Sequence, residues 1–183
     1  MYHENRAIRD KELIKAVLDI CDVINVGLFD DEFPYVLPLN FGYEFEDDLV
    51  FYMHHAVEGY KIKLVEKNPK VGITTYRFLD TKQSSHDYRS VMAFGEMSFI
   101  PRESDEYVKA WELLCRHNGR KVPDRVFAPD FPVLMGKIVC RAENVIGKAQ
   151  YPVGTPEEIP LIASEDEELY KPIPRRKRIK QDL

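Results

Sequence analysis

The chain has 183 residues, of which 44% are hydrophobic and 31% are charged. This length suits one domain that can bury a core without disulfide or metal support, and the composition argues against both disorder and membrane insertion. The 26 basic and 31 acidic residues give a formal net charge of −5. A nucleic-acid binder needs the opposite excess to displace phosphate counterions, so we expect no nucleic-acid partner.

The cysteines and the apolar segments indicate where the protein works. Cys21, Cys115 and Cys140 are widely spaced and form no C-x-x-C motif, which is typical of a reducing compartment. The apolar stretch over residues 17–29 is broken by two aspartates and an asparagine, so it falls short of the about 20 apolar residues of a membrane span. Residues 1–10 do not resemble a signal peptide. We expect a cytoplasmic protein with no membrane partner.

The first half of the chain predicts a helix followed by a strand meander. Asp10 is placed to cap a helix whose apolar residues recur at a spacing of three to four through Cys21. Short β-like runs with turn residues between them follow at residues 23–29, 35–41 and 49–53. Residues 56–67 then predict a second helix, which Asn68-Pro69 ends.

The second half predicts three more strands and a third helix. Residues 70–76 and 88–100 are strand-like, and Gly95 stands where a bulge would bend the longer one. Ser104 is placed to cap a helix through Cys115, and residues 133–142 predict the closing strand. The expected fold is mainly β with flanking helices (α+β), a six-stranded antiparallel barrel.

The end of the chain loses this periodicity. From about Tyr151 it contains prolines, an acidic run at residues 165–168 and a basic run at residues 175–180. We interpret residues 1–150 as the folded domain and residues 151–183 as an extended tail. The tail is solvated or wraps a second subunit in preference to forming a nucleic-acid patch, because the acidic run cancels much of the field of the basic run.

The junction between the third strand and the second helix predicts an anion pocket. A strand that ends at His54-His55 and turns at once into a helix gathers free backbone N–H groups and the positive end of the helix dipole over residues 55–59. Gly59 permits close approach of a ligand, and the Lys61 ammonium is near enough to reach a phosphate. The alternative is an ordinary amphipathic helix with a solvated lysine.

The two adjacent histidines have different expected roles. Neighbouring strand residues point to opposite faces, so His54 and His55 cannot both face one ligand. The simplest interpretation is one hydrogen-bonded imidazole and one exposed imidazole. They lack a third ligand at usable spacing, so we expect no metal site.

Four ordered segments carry a family resemblance that extends from about Arg6 to Lys148. They read PYVLPLNFG at residues 34–42, FYMHHAVEGYK at residues 51–61, NPKV at residues 68–71 and YRSVMAFG at residues 88–95. Together they resemble the pyridoxamine 5'-phosphate oxidase-like FMN-binding split-barrel proteins, and within these the branch named for 5-nitroimidazole resistance proteins.

The resemblance implies a split β-barrel homodimer that binds FMN in two equivalent clefts between its subunits, and it assigns three groups of cofactor-binding residues. The group that lines the flavin ring is Pro38, Leu39, Asn40 and Phe41. The group that holds the ribityl phosphate is Tyr52, Met53, His54, His55, Ala56, Gly59 and Lys61. The group that closes over the flavin from the next strand is Arg89, Ser90 and Val91.

Several details of this assignment stay open. Arg89 pairs either with the phosphate or with surface carboxylates. His54 is the best candidate for a group near the flavin, although no catalytic residue is assigned, and Trp111 is expected in the core. The true oxidases of the superfamily carry further phosphate and substrate ligands that this sequence does not show, which argues against vitamin B6 oxidation.

The expected function is an FMN-dependent oxidoreductase that takes electrons from reduced nicotinamide and reduces a small acceptor such as a nitro compound. The sequence has no G-x-G-x-x-G after a strand, so the nicotinamide would visit the flavin and not occupy a domain of its own. The alternatives are a non-catalytic flavin-binding or sensing module and a haem-binding split barrel.

Overall fold

A computed structural model describes residues 4–79 and 87–159, and every structural statement below refers to those residues. The helices are α1 (Lys11–Asp19), α2 (Tyr60–Lys67) and α3 (Asp105–His117). The strands are β1 (Ala7–Ile8), β2 (Val23–Leu28), β3 (Tyr35–Asn40), β4 (Gly42–Phe45), β5 (Leu49–Ala56), β6 (Lys70–Leu79), β7 (Asp87–Ile100), β8 (Val133–Cys140) and β9 (Val145–Ala149). No helix in the described ranges is long and apolar enough to cross a membrane.

All strands of the described residues join one curled antiparallel sheet. Its order is β3-β2-β6-β7-β8-β5-β4, and β9 lies beside β7 with β1 on its outer edge. The prediction of a mainly β fold with flanking helices is confirmed. The prediction of six strands is wrong, because β1 and β9 are too short to show a pattern and β4 separates from β3 at Phe41.

The long strand β7 divides the sheet. Along one edge it pairs with β6 over residues 87–96, and along the other it pairs first with β9 over residues 89–93 and then with β8 over residues 96–100. The predicted bulge at Gly95 is wrong, since the β6–β7 register continues through Val71↔Gly95 without an inserted residue. A Cβ at Gly95 would lie 2.7 Å from Cys140 Sγ, so the glycine permits close packing of β8.

Two helix caps are as predicted, and one helix start is not. Leu13 N donates to Asp10 Oδ1 at 3.0 Å, and Tyr107 N donates to Ser104 Oγ at 3.3 Å. Helix α2 begins at Tyr60 and not at Ala56, because β5 continues to Ala56 through its pairing with Val133. The strand pairing therefore takes the residues that the sequence placed in the first turn of the helix.

Two apolar clusters fill the fold. The first lies inside the curled sheet and under α1, with Val17, Leu18 and Ile24 fully buried. The second lies between α3 and the opposite face of β5 and β8, and includes Trp111 and Met135. Strand β5 contributes to both clusters, so its two faces are both covered.

The start of the predicted tail packs on the domain. Ile159 is fully buried in the first cluster, and Val153 packs against that cluster. Residues 156–158 form a 3-10 turn that contacts α1. Ile159 therefore packs with the folded domain, although the sequence placed it in the tail. The remainder of the predicted tail, with its acidic and basic runs, lies outside the described residues.

Candidate functional site

The corner where β5 passes into α2 is open and lacks a side-chain cap. Gly59 immediately precedes the helix with φ of +144°, a conformation that side-chain-bearing residues rarely adopt, and a Cβ there would meet nothing within 4 Å. Asp10 and Ser104 cap α1 and α3, but no side chain caps α2. The start of α2 therefore has no side-chain acceptor for its first N–H groups, and uncapped helix starts of this kind bind anions.

His55 points into the curled sheet and is 1% exposed. Its ring meets Phe99 edge-on at a centroid distance of 5.8 Å, and a Cβ on Gly136 would lie 2.7 Å from His55 Nε2. Neither ring nitrogen has a hydrogen-bond partner among the described residues. The expectation of a hydrogen-bonded imidazole is therefore wrong for His55, because the strand alternation directs it among apolar groups.

His54 points to the other face of β5 and is exposed. Its ring lies nearly parallel to that of Trp111 on α3, with centroids 5.8 Å apart and an interplanar angle of 17°. Trp111 is buried in the second cluster, as predicted, and contacts Tyr107 and Phe131. The stack covers one face of the His54 imidazole.

Positive charges converge on the corner. Burial lowers the pKa of the half-buried Lys61 ammonium. Burial, Lys61 and Arg120 together lower the pKa of His54. Burial, Lys61 and His54 lower the pKa of His55 to about 3. Both imidazoles are therefore neutral at pH 7, and a bound anion would relieve the repulsion that disfavours their protonated forms.

Arg120 is a charged residue that acts on His54 and that the sequence did not indicate. It follows α3, far along the chain from Lys61, and belongs to no recognisable motif. Only the packing of α3 against β5 brings it within electrostatic range of His54.

The segment from Pro38 to Phe41 alternates between two environments. Pro38 and Asn40 are exposed on the outer face of the sheet, and Asn40 Nδ2 donates to Asp22 O at 3.0 Å. Leu39 is half-buried against the first cluster, and Phe41 is fully buried, 5.5 Å from the ring of Phe51. The side chains of Leu39 and Phe41 thus support the strand from within and do not face the surface that Pro38 and Asn40 occupy.

Arg89 corrects another expectation. It is 1% exposed and forms an ion pair with Asp87 Oδ1, a side chain that is itself fully buried. Its partner is therefore neither a phosphate at the corner nor a surface carboxylate. Val91 is also buried, whereas Ser90 between them lies half-buried on the outer face. The pleat separates these neighbours, and a buried guanidinium needs a charged partner of its own.

The residues that the resemblance assigned to the ribityl phosphate are also divided between buried and exposed positions. Tyr52 and Met53 are buried, and Tyr52 Oη donates to Glu44 Oε1 at 2.7 Å beneath α3. His54, Ala56 and Gly59 are exposed, and Lys61 is half-buried. The exposed assigned residues are Pro38, Asn40, His54, Ala56 and Gly59, and the half-buried ones are Leu39, Lys61 and Ser90. The described residues contain no group of His, Cys, Asp and Glu that could hold a metal ion.

The outer face of the sheet is a second distinctive surface. Val36, Gly27, Gly72 and Phe94 are paired in one row across four strands, and both Val36 and Phe94 are more than 60% exposed. Other large apolar side chains exposed on this face are Tyr76, Phe78 and Met92. A groove of about 810 Å³ adjoins the two glycines. An apolar surface of this kind is typical of a contact with another molecule.

The curled antiparallel sheet with its covering helices defines the class of split-barrel proteins. Residues 10–130 match the sequence model of the family described as pyridoxamine 5'-phosphate oxidase. The chain belongs to the pyridoxamine 5'-phosphate oxidase family. A comparison with curated proteins finds no match.

The solved structures agree with this assignment. A candidate 5-nitroimidazole antibiotic resistance protein from Bacteroides thetaiotaomicron is 30% identical with a TM-score of 0.65, over 78% of this chain and 86% of that chain. A FAD-binding protein from Mesorhizobium loti is 23% identical with a TM-score of 0.59, over 80% and 98% of the two chains. A FAD and heme binding protein from Mycobacterium smegmatis is 19% identical with a TM-score of 0.60, over 84% and 78%. The last two likenesses show the fold.

The buried imidazole of His55 makes stability depend on pH. Its pKa is about 3 in the folded chain and about 6.5 when unfolded. Between these values the unfolded state binds a proton that the folded state does not, so the free energy of unfolding falls as pH decreases from 6.5, by up to about 1.4 kcal/mol per pH unit. We expect this slope to be reduced in His55→Leu.

Urea unfolding at pH 7, 6 and 5 measures the effect. The exposed His54 supplies the control, because His54→Leu should keep most of the wild-type slope. Parallel pH profiles for the wild type and His55→Leu would contradict a neutral buried imidazole.

Proposed function

We propose that this protein binds FMN, with the phosphate at the corner between β5 and α2. The single observation that carries the proposal is the uncapped start of α2 beside Lys61, a cation with no ion pair among the described residues. The residues suit the group: Gly59 leaves room for an oxygen, the first N–H groups can donate to it, and the Lys61 ammonium supplies charge.

The ring-binding part of the proposed site lies on the outer face. Pro38, Asn40 and Ser90 are on this face, and His54 lies on the same side of the sheet, on the strand against which α3 packs. Four strands separate β3 from β5 in the sheet order, so Pro38 and Asn40 are far from His54 along the sheet of one chain. We propose that two chains pair through their outer faces as a homodimer, so that each flavin lies between subunits. The exposed Val36 and Phe94 support this arrangement.

The proposed reaction is the transfer of electrons from reduced nicotinamide to a small acceptor, such as a nitro compound. Bound FMN would supply the hydride chemistry. The chain's own residues would bind and orient: Lys61 and the α2 N-terminus hold the phosphate, and Pro38 shields one part of the ring site from water. The neutral His54 imidazole, stacked on Trp111, would offer a hydrogen-bonding nitrogen to the bound group.

Two alternatives use the same surfaces. A flavin-sensing module would bind FMN without turnover. A haem protein would use a neutral histidine such as His54 as an axial ligand, and the similar M. smegmatis protein is described as binding both FAD and heme. Haem binding would give no role to Lys61 or to the uncapped start of α2, whereas a phosphate would use both. FMN is therefore favoured. A visible spectrum of the copurified ligand distinguishes the two.

Lys61→Ala should weaken FMN binding. The change removes a charge-assisted hydrogen bond worth about 1.5–3 kcal/mol, which is roughly ten- to more than a hundredfold in affinity. The fold should survive because Lys61 is only half-buried and alanine favours helices. Titration of apoprotein with FMN gives the dissociation constant. Lys63→Ala is the control, since exposed Lys63 points about 200° around the helix from Lys61. Equal FMN affinities of Lys61→Ala and Lys63→Ala would contradict the proposed phosphate site.

Phe94→Glu should prevent dimer formation and lower flavin occupancy. Phe94 is 62% exposed in the single chain, so the fold should tolerate glutamate, whereas a carboxylate buried between two subunits is costly. Light scattering measures the mass, and absorbance measures the bound flavin. Phe127→Glu is the control, because Phe127 is an exposed aromatic on the turn after α3. A wild-type monomer that binds flavin fully would contradict the interfacial site.

Steady-state consumption of NADH or NADPH distinguishes the oxidoreductase from the sensing module. We expect the flavin-loaded protein to oxidise reduced nicotinamide when a nitroaromatic acceptor is present. The rate per milligram in Lys61→Ala should fall in proportion to its lost flavin, because Lys61 holds the cofactor. Fully loaded protein without turnover would favour the sensing module.

A further inference from the structure

Helix α2 leaves two backbone donors at its start without an acceptor. Ile62 N donates to Gly59 O at 3.2 Å, and Lys63 N is 3.5 Å from the same oxygen. The N–H groups of Tyr60 and Lys61 come before these bonds and have no hydrogen-bond acceptor among residues 4–79 and 87–159. A helix of eight residues is marginal by itself, so its position depends on contacts with the rest of the fold.

The Tyr60 side chain makes such a contact at the first residue of the helix. Its Oη donates to Asp30 Oδ2 at 2.7 Å, and its ring meets the Tyr35 ring edge-on with centroids 5.6 Å apart. Asp30 lies in the turn between β2 and β3, and Tyr35 begins β3. The start of α2 is therefore bound to a turn that lies 30 residues earlier in the chain.

The turn that holds Tyr60 is itself ordered. Asp30 Oδ1 accepts a hydrogen bond from Asp31 N at 2.7 Å, so both oxygens of the Asp30 carboxylate have a donor. Asp31 also pairs with Lys67, the last residue of α2, at 2.6 Å. The two ends of α2 are thus tied to adjacent residues of one turn, and the Tyr60 hydroxyl meets an acceptor whose direction is already set.

The remaining contacts of α2 do not fix its first turn in the same way. Ile62, Leu64 and Val65 are buried, but apolar packing is non-directional and tolerates small shifts along the helix axis. The carboxylate of exposed Glu58 opposes the charge of Lys61 at this end of the helix. Because these two charges offset each other, anion binding here depends on how well the backbone donors are aimed.

We propose that Tyr60 is a positioning residue for the anion bound at the start of α2, and that it acts through its hydroxyl bond to Asp30. The inference rests on the proposed function, in which this anion is the FMN phosphate. The anchored side chain and the free N–H belong to one residue, so the bond to Asp30 restrains the direction of the donor. Donors that are aimed before binding lose less conformational entropy when the ligand arrives.

The experiment compares FMN with riboflavin, which lacks the phosphate. Apoproteins of the wild type and Tyr60→Phe are titrated with each ligand by flavin fluorescence. Tyr60→Phe keeps the ring and removes only the hydroxyl, so we expect FMN affinity to fall about three- to tenfold and riboflavin affinity to stay unchanged. Tyr43→Phe is the matched control, because it removes a hydroxyl 2.8 Å from Asp19 Oδ1, between β4 and α1.

A double-mutant cycle tests whether Asp30 is the partner through which Tyr60 acts. Asp30→Ala should lower FMN affinity, and Tyr60→Phe should cause no further loss in the Asp30→Ala background. Asp30→Asn keeps an acceptor oxygen and should recover part of the loss. Losses that add in the double variant would overturn the proposed action through Asp30.

The outcomes separate this inference from the proposed function. A wild-type preference for FMN over riboflavin that persists in Tyr60→Phe would overturn the role of Tyr60 and leave the phosphate site in place. Equal loss of FMN and riboflavin affinity would also overturn it, since Tyr60 would then support the fold, and thermal unfolding of the apoprotein would show a lower midpoint. A wild type without a preference for FMN would overturn the phosphate site and this inference together.

Discussion

Strand β5 is covered on both faces, and this constraint places the two histidines of the candidate site. The interior of the curled sheet takes His55, Met53 and Phe51, while α3 covers the face that carries His54 and Tyr52. Buried on both sides, the strand has little freedom to shift its register, because a slip by one residue would exchange the two faces. The register of β5 therefore determines that His54 lies on the side of α3 and that His55 points into the interior.

The sequence predicted that a strand passes into a helix at this corner because the relevant physics is local, while anion binding there stays a prediction. A strand, a glycine and an early-helix lysine lie within a few residues of one another, and the consequences of a helix start do not depend on distant contacts. The same is true of the caps at Asp10 and Ser104. Inside the motifs, however, resemblance does not separate residues that touch a ligand from residues that support the strand. Phe41 and Met53 belong to the recognised segments, and both are fully buried.

The errors arise from contacts between residues far apart in the chain. The partner of Arg89 is Asp87, two residues away, but the burial of both depends on β6, β9 and the interior of the sheet. The start of α2 moved because β5 continues its pairing with β8. Ile159 is buried because the 3-10 turn at residues 156–158 contacts α1. The sequence around Ile159 shows no periodicity that would indicate this contact. Arg120 is placed by the packing of α3 alone.

The charge at the candidate phosphate site and the proposed pairing of two chains affect the same bound ligand. The whole chain carries a net charge of −5, yet Lys61 stands at the start of α2 without an ion pair among the described residues. A cation at a helix start favours a small phosphate ester, while the net negative charge of the chain disfavours an extended polyanion. On the proposed arrangement, the phosphate is held by one chain and the ring also contacts the outer face of the other. A ligand that contacts both subunits must strengthen their association by the same free energy by which association strengthens its binding. The apolar row from Val36 to Phe94 and the cationic corner would then be two halves of one site, and neither chain alone would offer the full binding energy.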